Sequence, residues 1–279
     1  MPIHVWLPAA VFALAAWSVQ RLLSKVALAD LGTRKFYLLS AAVSLLTYAP
    51  YLAFRRPAVA ELLPAFGLSC LMALTFGVTT EAIRRGPLGG VSPITALSPA
   101  LTAVLAILVL GEKLATWSYA GIALAPAGVA LLSAGRGVEA RAGGWLWLAV
   151  ASFALQGVGA FIAKLVVTPA GPSALLLMSA AVQVVVGLVL APPWKWSAHD
   201  LRGRAAVYTI VTYAVAAVAT IGYLLALASG PAAVVVPLVA TSPAVAGILG
   251  MVFLKEEGGR RRVAGIVVAL AGAVLLSTG

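Results

Sequence analysis

Shifted by 144 positions, the stretch from Gly86 to Gly135 falls on Gly230 to Gly279 without a gap. Gly86-Pro87 meets Gly230-Pro231, Pro93 meets Pro237, Ser98-Pro99-Ala100 meets Ser242-Pro243-Ala244, and Ala120-Gly121-Ile122 meets Ala264-Gly265-Ile266. The earlier part of each copy aligns at a shift of 139, which puts Lys25 on Lys164 and Ser40-Ala41-Ala42-Val43 on Ser179-Ala180-Ala181-Val182. The second copy thus carries five extra residues, in the loop that holds Pro192, Pro193, Trp194, Lys195 and Trp196. A chain made of two copies of one unit is expected to fold as two copies of one bundle.

Hydrophobic residues make up 62% of the 279 and charged ones 10%, more apolar surface than one or two soluble cores can hide. Lipid is then the solvent, and runs of about 20 apolar residues are what a helix needs to cross it. Ten such runs are present, roughly 4–25, 36–54, 62–83, 88–110, 116–134, 145–166, 173–191, 204–229, 231–254 and 261–278. Helix follows because a lone strand would leave backbone groups unpaired in hydrocarbon, and the alternation of a barrel is missing. The expected fold is an all-α integral membrane protein of ten transmembrane helices, two five-helix repeats around a central cavity. An odd number of spans per unit inverts the second copy. The expected units are 1–135 and 145–279, joined by the glycine-rich linker 136–144.

The net charge of +11 would suggest nucleic acid in a soluble protein, but here the basic residues cluster at helix ends and read as topology signal, with no nucleic-acid partner. The odd-numbered connections hold 15 Lys and Arg, among them Arg21 and Lys25, against 4 in the even-numbered ones, Lys164 included. That tally favours both termini outside. The first run reads as a retained span without a cleavable leader. A single cysteine, Cys70, has no internal partner and leaves the redox compartment unreadable.

Each Gly-Pro pair marks a tight hairpin with proline at a first helical turn. Pro93 and Pro99, like Pro237 and Pro243, then interrupt the fourth and ninth spans. Each deletes a backbone hydrogen bond and displaces a carbonyl. In a bilayer the freed groups need hydroxyls or a wet cavity, and matching interruptions in both halves point to a binding site. Gly121, Ala125 and Gly128 recur as Gly265, Ala269 and Gly272, a small-residue stripe expected to pair the fifth and tenth spans inside one monomer.

The eight acidic residues all fall in loops or near helix ends. Glu81 comes nearest the membrane interior, with Arg84 and Arg85 at spacings that make a helix-end ion pair. Arg21 is expected to snorkel from the end of the first span. His4 and His199 are peripheral, and no nucleophile motif, phosphate loop or metal-ligand cluster is present, so neither an enzyme nor a cofactor is expected. What remains in the membrane is uncharged polar and aromatic surface. The expected solute contacts are Trp17, Gln20, Thr75, Phe76, Thr79, Ser98, Gln156, Tyr213, Thr220, Tyr223 and Ser242. The repeat pairs Trp17 with Gln156 and Thr79 with Tyr223, so these should face one another across the pseudo-twofold axis.

These residues resemble the drug/metabolite transporter superfamily, and within it the ten-helix EamA-type carriers. The resemblance rests on the two Ser-Pro-Ala breaks, on Gly111-Glu112-Lys113, and on the Ala120-Gly121 and Ala264-Gly265 openings of the fifth and tenth spans, and it covers the whole chain. Trp17-Ser18 is similar to the bacterial YddG-like amino-acid exporters. One departure is Lys255-Glu256-Glu257, which lacks the glycine before the acid. The resemblance implies a basket of inverted repeats that exports amino acids or other metabolites, and termini on the cytoplasmic side, opposite to the charge tally. The expectation is an alternating-access exporter of neutral or zwitterionic metabolites, most of all amino acids. It would act by facilitated or weakly coupled transport, as a monomer in a bacterial inner membrane. The rivals are a proton-coupled multidrug exporter, which would need Glu81 in the cavity, and a channel or scaffold.

Overall fold

The computed structural model describes residues 3–31, 33–86, 88–133, 144–190, 204–253 and 259–278. The linker 136–143, the Pro192–Trp196 loop, Pro87 and the Lys255-Glu256-Glu257 corner lie outside the described residues. The elements are α1 (Ile3–Leu31), α2 (Thr33–Phe54), α3 (Val59–Arg85), α4 (Leu88–Thr95), α5 (Ser98–Leu110), α6 (Thr116–Ser133), α7 (Gly144–Ala170), α8 (Ser173–Leu190), α9 (Arg204–Ser229), α10 (Ala232–Val239), α11 (Ser242–Phe253) and α12 (Arg260–Ser277). Among the described residues the ten expected spans become twelve helices because the fourth and ninth are each split in two, at Ala96-Leu97 and at Ala240-Thr241, equivalent positions of the two repeats. Pro99 and Pro243 stand second in α5 and α11, where the missing N–H has no helical acceptor to lose.

The outer surface is what lipid requires: Leu46, Phe54, Leu63, Leu108 and Val189 are all largely exposed. The interior is built from facing copies. α1 packs on α9 as α3 packs on α7, and α1 on α11 as α7 on α5. Trp6 and Trp145, which the repeat shift also superimposes, show the symmetry at single residues. A Cβ on Gly230 would lie 2.6 Å from Trp6, and one on Gly86 would lie 2.7 Å from Trp145. Each indole therefore lies on the glycine of the opposite copy's hairpin.

The small-residue stripe pairs α6 with α12 inside the monomer, as expected from its spacing. Added Cβ atoms would reach 2.2 Å from the Ala269 nitrogen at Gly128 and 2.4 Å from the Ala125 nitrogen at Gly272. Backbone meets backbone here, and only glycine allows it.

The two halves are not in the same state. α5 packs on α10, and α7 meets α9, whereas among the described residues the mirror pairs, α4 with α11 and α1 with α3, make no comparable contact. All eight residues of α10 are buried. Among the described residues the central space is therefore closed where α5 meets α10, while α4 and α11 stand apart at the other end.

Candidate functional site between the repeats

Around the two breaks, α1, α3, α7 and α9 present the polar positions. Thr79 of α3 and Ser152 of α7 share a hydroxyl hydrogen bond, and Gln156 Nε2 donates to Ser152 Oγ at 2.9 Å and to Thr79 Oγ1 at 3.4 Å. The mirror positions of Thr79 and Gln156 are Tyr223 and Trp17, and their rings lie 5.3 Å apart, tilted by 41°. One side of the pseudo-twofold axis thus carries an amide-hydroxyl cluster, and the other an aromatic pair. Each repeat contributes to both. The pairs made are Thr79 with Gln156 and Trp17 with Tyr223.

At the breaks, Thr102 Oγ1 donates to the Gly157 carbonyl at 2.9 Å, tying α5 to α7, while Ser18 Oγ lies 3.2 Å from the Ser242 carbonyl, tying α1 to α11. Ser98 and Ser242 are both buried. Arg21 does not snorkel. Its Nε donates to Ser242 Oγ at 3.3 Å, beside the break. The reason is geometric: α1 continues to Leu31, so Arg21 and Lys25 belong to a helix and not to a connection. Lys164 likewise sits within α7. The basic asymmetry between the two faces keeps its direction without these three. A charge this deep in a span costs about 2.5–3.5 kcal/mol when placed in lipid, which makes an intramembrane arginine a marker of function.

The other expected contacts scatter more. Thr75 is buried and bonds back to the Leu71 carbonyl at 2.7 Å, and Thr220 bonds back to the Ala216 carbonyl at 2.9 Å within its own helix. Phe76 is 46% exposed, and Gln20 and Tyr213 are half-buried. Pro93 and Pro237 lie inside the short helices α4 and α10.

The closed end is held by a pair that the sequence did not single out. Glu112 Oε1 and Oε2 accept the N–H groups of Ala232 and Ala233, each at 2.9 Å, at the start of α10. Lys164 Nζ, itself buried, donates to the carbonyls of Leu227 (2.8 Å) and Gly230 (2.7 Å), at the end of α9. An anion caps a helix N-terminus and a cation caps a helix C-terminus, both on groups no helix satisfies internally. Glu112 reaches α10 because Gly111, at φ 65°, ends α5 in a left-handed turn. This assembly, called the latch below, clamps the hairpin Ser229-Gly230-Pro231-Ala232 from both sides.

Glu81 accepts from Arg84 Nε and Nη2 and from Arg85 Nε, all at 2.6 Å, at the end of α3. It is engaged there as a helix-end ion pair. Glu81→Gln is therefore expected to leave solute counterflow and its pH dependence unchanged in proteoliposomes. Loss of a proton-driven component would contradict this. Among the described residues no cluster of potential metal ligands occurs. An outward apolar groove of about 510 Å³ between α3 and α8, lined by Phe66, Cys70, Ala73, Met178, Val182 and Val185, offers no polar grip on a solute.

The profile of EamA-like transporters matches residues 4–134 and again 143–278, one match per repeat. The chain belongs to the EamA-like transporter family. A crystal structure of another protein is similar in fold to this EamA-like chain, with a TM-score of 0.76, covering 96% of this chain and 94% of its own, at 16% identity. A comparison with curated proteins gives no match. As an EamA-like transporter, the chain is a multi-pass membrane protein with its two repeats inverted about the central space.

Proposed function

We propose that this protein is an alternating-access exporter of small zwitterionic metabolites, amino acids above all, working as a monomer in a bacterial inner membrane by facilitated transport. The single observation that carries the reading is the latch, closed at one end of a duplicated fold whose other end holds its helices apart among the described residues. Both of its charged residues recur in the other repeat. The shift of 144 carries Glu112 to Glu256, and the shift of 139 carries Lys25 to Lys164. In the opposite state Glu256 would cap α4 at Leu88 and Gly89, and Lys25 would bond the carbonyls of Ile83 and Gly86. Transport would then exchange one latch for the other, with the solute held at the breaks between them.

The two latches are not equal. Lys255 stands where Gly111 takes its left-handed turn, and a residue with a Cβ pays about 1–2 kcal/mol for that conformation. The Glu112 latch is accordingly the one found closed. If the termini lie outside, as the basic residues favour, the open end faces the cytoplasm.

Counterflow in proteoliposomes with labelled amino acids and organic cations, with and without a pH gradient, tests the reading. Saturable amino-acid exchange that ignores the gradient is expected. Trp17→Ala, Tyr223→Ala and Ser98→Ala should each reduce it with membrane insertion intact, and normal flux in all three would overturn the site. Exchange confined to organic cations, or flux without saturation, would overturn the function.

A further inference from the structure

We infer that Arg21 is the residue that selects the transported solute, by anchoring its carboxylate. The inference rests on the transporter reading and narrows it to solutes bearing that group. Ser242 stands midway along the span Ala232–Phe253, so its contact with Arg21 Nε at 3.3 Å fixes the guanidinium near the level of the break. Arg21 lies one turn of α1 beyond Ser18, which bonds the Ser242 carbonyl, and so on the open side of that break. The residue is exposed, at the end where α4 and α11 stand apart.

Ser242 Oγ engages one of the five guanidinium N–H groups. Among the described residues no carboxylate pairs with Arg21, because Glu81 is held by its own arginines and Glu112 by the start of α10. The N-terminus of α11 adds positive potential beside it. A planar fork with free donors matches a carboxylate in two-point geometry. The repeat places Ala160 at the equivalent position of α7, so the second copy has no matching guanidinium and the solute would bind in one orientation. With no described acid opposite, an organic cation meets repulsion and nothing to offset it. An amino acid's ammonium would be left to the hydroxyl and amide groups of Thr79, Ser152 and Gln156.

The test is binding to the purified full chain in nanodiscs, read by tryptophan fluorescence. The probes are L-leucine, L-leucinamide and 4-methyl-2-oxopentanoate. The unaltered protein should bind the two carboxylates more tightly than the amide, and Arg21→Gln should weaken both by roughly tenfold or more while leaving the amide unchanged. Arg21→Lys keeps the charge without the fork, should lose less, and serves as the test if Arg21→Gln does not fold. Equal weakening of all three probes, an amide that binds as well as the acids, or no binding of either carboxylate would overturn the inference. Counterflow decides transport separately, so a protein that binds carboxylates without moving them would overturn the function and leave the anchor standing.

Discussion

Glu112→Ala is expected to release the closed end of the protein and lower amino-acid counterflow roughly tenfold or more. The carboxylate makes two hydrogen bonds to backbone N–H groups, each worth about 1.5–3 kcal/mol because the acceptor is charged. Their sum, about 3–6 kcal/mol, is of the size needed to turn a two-state equilibrium from one end almost wholly to the other, about 5.5 kcal/mol. Lys164→Ala should act in the same direction, since it strips the partners from the Leu227 and Gly230 carbonyls. Glu256→Ala should act in the opposite direction and leave the Glu112 end closed for longer. The readout is labelling by a membrane-impermeant maleimide of a single cysteine at Ser229, in a Cys70→Ala background. Labelling should rise with Glu112→Ala and fall with Glu256→Ala. Changes of the same sign in both variants would remove the idea of exchanging latches.

The second large effect belongs to the scaffold. Gly128→Val would put a side chain into the Ala269 backbone, where a Cβ alone already lies 2.2 Å from the nitrogen. Two helix backbones would have to separate, at a cost near the upper end of the about 1–3 kcal/mol typical of overpacking. Gly272→Val meets the Ala125 backbone in the same way. A drop in thermal midpoint on the order of 10 °C is expected for each in detergent. Gly77→Ala is the control, because an added Cβ there meets nothing within 4 Å. If Gly128→Val melted with the unaltered protein, the α6 and α12 contact would not be the rigid pair described.

Much of this was legible in the sequence because it depends on local chemistry repeated twice. Prolines at 93, 99, 237 and 243 mark where helices must break, and the breaks fall at Ala96-Leu97 and Ala240-Thr241. Glycines four residues apart mark where two helices can touch, and α6 and α12 do. Glu81 with arginines three and four residues on is an ion pair on any helix.

What escaped were contacts set by the tertiary arrangement. Glu112 and Lys164 read as loop charges because hydropathy places span ends by composition, and only packing shows that Lys164 lies buried in α7. A signal was present: an acid and a base, each duplicated at the repeat shift, in a chain otherwise poor in charge. Thr220 shows the opposite failure, since a hydroxyl in a span can be satisfied by its own helix, here by the Ala216 carbonyl. Arg21 looked terminal because the first apolar run ends soon after it, while the helix goes on.

Two electron-electron distances in nanodiscs test the exchange of latches most directly. Spin labels at Lys113 and Ser229 report on the end that Glu112 closes, and labels at the mirror positions Arg85 and Glu257 report on the other, both in the Cys70→Ala background. With solute present, each distance should show a short and a long population, and conditions that raise the short fraction in one pair should lower it in the other. Counterflow that continues while both distances hold a single fixed value would contradict the account.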